Sequence, residues 1–149
     1  MIKVTILLCE TLSLFELGCA TELFALPRPE FKNWYQTHTV TLGRQTLEGM
    51  GNTVFQCPAV EQLPATDLLV IPSFPVSIER IEPRLASEVR RHYDQGGRII
   101  SFCSGSFLLV ALGLLNQRTA ITHWRYTEQF RQRFPHITYR DDSLYWYDG

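Results

Sequence analysis

The sequence lacks the patterns that mark metal-binding, membrane-spanning or secreted proteins. Its four cysteines, Cys9, Cys19, Cys57 and Cys103, are scattered without a CxxC pair, which argues against a metal site and against a disulfide framework. The longest apolar runs, such as FLLVALGLL, are too short to cross a bilayer. No small-residue cleavage site follows the apolar N-terminus. Since free thiols are typical of the cytoplasm, we predict a cytoplasmic protein without membrane contact.

The charge balance gives little reason to expect a nucleic-acid-binding surface. The formal net charge is −1, so no overall field attracts DNA or anionic lipid. The basic stretch WRYTEQFRQRFP contains a glutamate and has helical spacing, which favours a solvated helix face. His38, His92 and His136 show no metal-ligand spacing. We therefore expect no metal and no cofactor.

The chain does contain a regular alternation of strand-like and helix-like segments. Strands are predicted at residues 2–8, 37–42, 67–71, 98–102 and 118–122, with one or two more in the tail from residue 137 to 149. Helices are predicted at residues 13–26, 85–95, 104–115 and 124–134. Most strands are apolar on both faces, which indicates a parallel sheet covered by helices on both sides. With 149 residues, 45% of them hydrophobic, the chain is expected to form one α/β domain, a flavodoxin-like α/β/α sandwich with a mostly parallel sheet.

The segment around Cys103 is the most informative part of the sequence. A strand runs into a helix with a nucleophile-type side chain at the junction, as in a nucleophile elbow. The tight turn needs small residues two positions before and after the nucleophile, and Ser101 and Gly105 satisfy this. The helix N-terminus is expected to lower the pKa of Cys103, and the Ser104 N–H to supply an oxyanion donor. An inert buried cysteine is the alternative.

Read together, several segments resemble a known superfamily. The string FCSGSFLLVALGLLNQRTAITHW resembles the ThiJ/PfpI superfamily, which has the class I glutamine-amidotransferase-like fold. SLFELGCATELFALPRPEF, THWRYTEQFRQRFP and the tail DDSLYWYDG are similar to the N-terminal domain of AraC-type transcriptional regulators of the FtrA and GlxA kind. The resemblance spans nearly the whole chain and implies a small-molecule effector.

The resemblance carries three site residues over to this sequence. Cys103 matches the elbow cysteine, Glu16 matches an acidic residue on the first helix whose carboxyl points at the sulfur, and His123 matches a histidine near the elbow. A carboxyl could relay a proton and a histidine could act as a base. Without the resemblance, Glu16 could be only a first-turn charge following an N-cap at Ser13, as in a capping box. His123 could then be only structural.

One departure from the family pattern bears on catalysis. Where relatives often carry glycine after the third strand, this chain has Ser73 and Phe74. A second oxyanion donor is expected from the loop at Ser73, and Phe74 could fill the pocket. We predict ligand contacts from Ser73, Phe74, Ser104 and Gly105.

Three functions follow from this pattern. The first is a ligand-sensing domain of an AraC-family regulator with a weakly catalytic or non-catalytic cysteine. The second is an enzyme of the same superfamily, such as an isonitrile hydratase, a glyoxalase-like hydrolyase or an amidase. The third is a thiol-based redox sensor. The resemblance also implies that the amidotransferase-like domain is incomplete at its C-terminus, that a helix-turn-helix domain follows in the parent protein and provides its only DNA contact, and that a homodimer is possible.

Overall fold

A five-stranded parallel sheet forms the centre of the domain. The computed structural model describes residues 1–77 and 79–147. The central strands are β1 (Lys3–Leu7), β2 (Gln36–Leu42), β5 (Ala59–Val60), β6 (Leu68–Ile71) and β7 (Arg98–Ser101). Their order across the sheet is β5-β2-β1-β6-β7, and every neighbouring pair is parallel. The predicted parallel sheet is therefore confirmed.

The helices lie on both faces of this sheet. They are α1 (Leu14–Phe24), α2 (Pro83–Asp94), α3 (Gly105–Ala111) and α4 (Thr127–Arg133). Alternate residues of β1 and β6 enter opposite cores, as the two-residue period of a strand requires. Val4 and Val70 pack in the core that contains α1, whereas Leu7 and Ile71 pack in the core that contains the other three helices. This is the predicted α/β/α arrangement.

Several short elements were not predicted from the sequence. β3 (Thr46–Glu48) and β4 (Val54–Gln56) form an antiparallel hairpin, and Leu47 contributes its side chain to the core. β8 (Thr119–Ala120) pairs with β9 (Thr138–Tyr139) in a separate two-stranded sheet. The predicted strands of the tail reduce to β9, since residues 140–147 contain no strand, and residues 148 and 149 lie outside the described part.

The helix ends also differ from the predicted boundaries. Ser13 is the N-cap of α1, as predicted, but the capping box is wrong: the Ser13 hydroxyl makes no cap bond to the backbone and instead donates to the Glu16 carboxylate. α3 ends four residues earlier than predicted, at Ala111. A 3₁₀ turn at Trp124–Tyr126 precedes α4. In the described ranges, no helix has both the length and the apolar character needed to span a bilayer.

Candidate functional site

Cys103 lies on a strained turn between β7 and α3. Its φ of +50° falls in the left-handed region that non-glycine residues rarely adopt. The turn is fixed by neighbouring hydrogen bonds: Thr122 Oγ1 donates to the Cys103 carbonyl at 3.0 Å, and the Phe102 N–H donates to the Ile71 carbonyl at 2.9 Å. The turn therefore lies at the carboxyl end of β7, where the sequence predicts an elbow.

The Cys103 thiol is hydrogen-bonded on both sides. It donates to the Glu16 carboxylate and accepts hydrogen bonds from the backbone N–H and the hydroxyl of Ser104. Burial raises the pKa of Cys103 to about 11, with the Glu16 carboxylate adding to the rise and the Ser104 donors opposing it. At neutral pH the side chain is accordingly a thiol and not a thiolate.

This corrects the prediction that the helix N-terminus would lower the pKa of Cys103. The helix does supply the Ser104 N–H, and that hydrogen bond does act to lower the pKa. Partial burial and the contact with the Glu16 carboxylate both disfavour a negatively charged sulfur. Together they outweigh the effect of the Ser104 hydrogen bond on the pKa. A sequence can show the helix N-terminus but not the distance to a carboxylate 87 residues away.

Glu16 reaches the elbow from the first turn of α1. Burial alone would raise the pKa of Glu16, but hydrogen bonds from Ser13 and from Cys103 outweigh burial and hold that pKa below its ordinary value. The charge that His123 can carry acts in the same direction. The structure thus brings Glu16 into direct contact with Cys103, and Glu16 is the ionised partner of the pair.

His123 is placed by the start of the 3₁₀ turn. Its Nδ1 accepts a hydrogen bond from the Arg125 N–H at 3.2 Å. In the neutral ring the proton then resides on Nε2. The electrostatic effect of His123 on Glu16 places it near the site, and its role as a base stays a prediction.

The loop after β6 is tied to the elbow and to α1. The Phe74 N–H donates to Ser104 Oγ at 3.1 Å, and the Ser73 hydroxyl accepts a long hydrogen bond from the Ser13 N–H at 3.4 Å. Phe74 and Ser73 are both buried. Because the Phe74 N–H already has an acceptor, this loop does not present it as a free oxyanion donor.

A pocket that was not predicted from the sequence opens beside the elbow. Its volume is about 380 Å³, and Phe74 forms part of its wall, whereas Cys103 does not. The pocket combines residues from the ends of β1 and β2 with the loop that leads into α2. Only the packing of these separate segments creates it.

Substitution of Glu16 should change the reactivity of Cys103. In Glu16→Gln the carboxylate that raises the thiol pKa is gone, so that pKa falls and the thiolate fraction at pH 8 rises. We expect alkylation by iodoacetamide to accelerate about threefold or more for each pKa unit, because the gain in thiolate exceeds the loss in its nucleophilicity. Peptide mapping measures the rate at Cys103. Glu22→Gln, an exposed change on the same helix, is the matched control. Equal alkylation rates in the two variants would contradict the interaction between Glu16 and Cys103.

Comparison with known proteins finds a family profile and several relatives that match the chain. Residues 2–146 match the profile of the DJ-1/PfpI family. The chain is 29% identical over 140 residues to an uncharacterized protein in the cpoL 5′ region of Streptomyces lividans, covering 89% of this chain and 95% of that protein. It is 27% identical over 138 residues to the HTH-type transcriptional regulator GbdR of Pseudomonas aeruginosa, covering 88% of this chain but only 36% of the regulator.

A solved structure of a putative transcriptional regulator from Vibrio parahaemolyticus superposes with a TM-score of 0.73 at 27% identity. The match covers 99% of this chain and 80% of that one. The chain therefore resembles regulators over nearly its whole length.

Proposed function

The chain belongs to the DJ-1/PfpI family, and we propose that it is the effector-sensing domain of an AraC-type transcriptional regulator. The observation that supports this most is the state of the elbow: Cys103 is a neutral thiol bonded to Glu16, and the neighbouring Phe74 N–H is already bonded to Ser104. In this proposal the site has a cysteine at a strand-to-helix turn but no activated nucleophile. Recognition of a small molecule fits it better than rapid turnover.

The effector would contact the residues around the thiol. Glu16 and Cys103 are partly accessible, so a ligand can reach the hydrogen-bonded pair. The predicted contacts Ser73, Phe74, Ser104 and Gly105 are buried, and in this proposal they would form the floor beneath the pair. A ligand that replaces the thiol as a partner of Glu16 would alter the loop at Ser73 as well, because α1 and that loop are joined through the Ser13 N–H.

DNA contact belongs, in this proposal, to a helix-turn-helix region outside residues 1–149. The chain is close to neutral overall. GbdR, of which it matches about a third, is named as an HTH-type regulator. The domain would therefore transmit the state of its site to another part of the same polypeptide.

An enzyme of the same family is the second candidate, and two observations favour it. The positive φ of Cys103 is the kind of backbone strain that concentrates at functional sites. The relative from Streptomyces lividans matches over 95% of its own length, so this domain also occurs in a protein of similar size. In this reading Cys103 would attack an electrophilic carbon with Glu16 as the proton carrier.

Extension of the reading frame beyond codon 149 provides the decisive test. We expect it to encode a helix-turn-helix region, and the full product to retard promoter DNA in a gel-shift assay. Residues 1–149 alone should give no sequence-specific shift, since a near-neutral chain makes few phosphate contacts. A stop codon soon after codon 149, or a specific shift by the 149-residue chain itself, would contradict the proposal.

A further inference from the structure

The pocket beside the elbow has an apolar interior. It lies at the carboxyl ends of β1 and β2, where open parallel sheets commonly bind ligands. Its volume of about 380 Å³ is in the range of small-molecule sites. The apolar side chains that line it come from the ends of both strands, the hairpin, the loop after β6 and the α2 region: Leu8, Leu42, Leu47, Phe74, Ile81, Pro83 and Leu85.

The polar groups inside the pocket either already have a hydrogen-bond partner or are only weakly polar. Thr41 Oγ1 donates to the Arg44 carbonyl within its own turn. Burial, with a contribution from Glu10, raises the pKa of Cys9 to about 12, so Cys9 lines the wall as a neutral thiol. The interior therefore favours an apolar body, because a polar one would lose its hydrogen bonds to water without replacement.

The charged groups at the pocket are paired, with one exception. Arg44 forms a salt bridge with Glu10. The Glu82 carboxylate accepts hydrogen bonds from the backbone N–H groups of Arg84 and Leu85, at 3.0 and 2.8 Å, and so caps α2. Arg80 also lines the pocket, and within residues 1–77 and 79–147 it has no hydrogen-bond or ion-pair partner.

An unpaired guanidinium beside an apolar cavity matches one class of ligand. Arginine presents a rigid set of N–H donors that fits the two oxygens of a carboxylate. We propose that this pocket binds a small carboxylic acid, with its apolar chain between Leu42, Phe74 and Leu85 and its carboxylate on Arg80. Binding here requires neither Cys103 nor regulator activity, so the proposal stands apart from the proposed function.

Calorimetric titration of the 149-residue chain with straight-chain acids from butanoate to decanoate tests the proposal. At least one acid should bind saturably, and its uncharged amide should bind about tenfold or more weakly. Arg80→Gln should weaken binding of the acid by a similar factor, because the charge-assisted hydrogen bonds to the carboxylate are lost. Leu85→Trp should abolish binding because the larger side chain fills the pocket. If Leu85→Trp does not fold, Leu42→Trp serves as the pocket-filling variant instead.

Two controls locate the site. Arg125→Gln removes an exposed arginine that does not line the pocket, and Cys103→Ser changes the elbow. Both should bind the acid as the unmodified chain does. The proposal is overturned if no acid in the series binds, if binding survives Arg80→Gln or the tryptophan variant at full strength, or if Cys103→Ser abolishes it.

Discussion

Gly105→Ala should cost the domain about 3 kcal/mol of its free energy of unfolding, a typical upper value for overpacking. A Cβ at this position would lie 2.6 Å from the Ile71 carbonyl oxygen and 3.1 Å from Ser101 Cβ. The nearest of these atoms is backbone in a central strand, which cannot move aside as a flexible side chain would. α3 would have to shift away from β6 and β7, and the Cys103 turn with it. Urea denaturation followed by far-UV circular dichroism measures the loss.

Gly18→Ala is the matched control for that experiment. Gly18 lies within α1, and a Cβ there would meet no atom within 4 Å. Alanine is the better helix former, so this change should stabilise the domain by up to about 1 kcal/mol. Equal effects of the two substitutions would show that the close approach at Gly105 is not a packing constraint.

The strand, turn and helix around Cys103 could be predicted from local sequence because their constraints are local. A strand, a small residue on each side and a helix are all visible between residues 98 and 111, and the structure places each of them there. The parallel sheet was predictable for a similar reason. Strands such as β6 are buried along their whole length, so an uninterrupted apolar run marks them.

The electrostatics of the site could not be predicted in the same way. Whether Cys103 is a thiol or a thiolate depends on Glu16, which approaches from a distant part of the chain, and on how far the turn is buried. The hydrogen bond from the Arg125 N–H to His123 Nδ1 could not be seen in the sequence either. The pocket containing Arg80 likewise arises from four separate segments and leaves no periodic pattern in the sequence.

Catalysis is where the sensor and enzyme proposals differ most. We expect no turnover of methylglyoxal, simple isonitriles or glutamine above that of Cys103→Ala. The Phe74 N–H already donates to Ser104 Oγ, so it is not free for a developing oxyanion. Loss of one oxyanion donor costs roughly a hundred- to a thousandfold in rate.

The protonation of the nucleophile adds a second barrier with a distinct pH signature. With a pKa of about 11, only about one Cys103 in 10,000 is a thiolate at pH 7. Any reaction through this sulfur should therefore accelerate about tenfold per pH unit up to that pKa. A substrate assay from pH 6 to 9, run beside Cys103→Ala, measures both properties. Fast turnover at pH 7 that is independent of pH and absent from Cys103→Ala would refute the sensor proposal, because it requires a thiolate already formed and an oxyanion site already open.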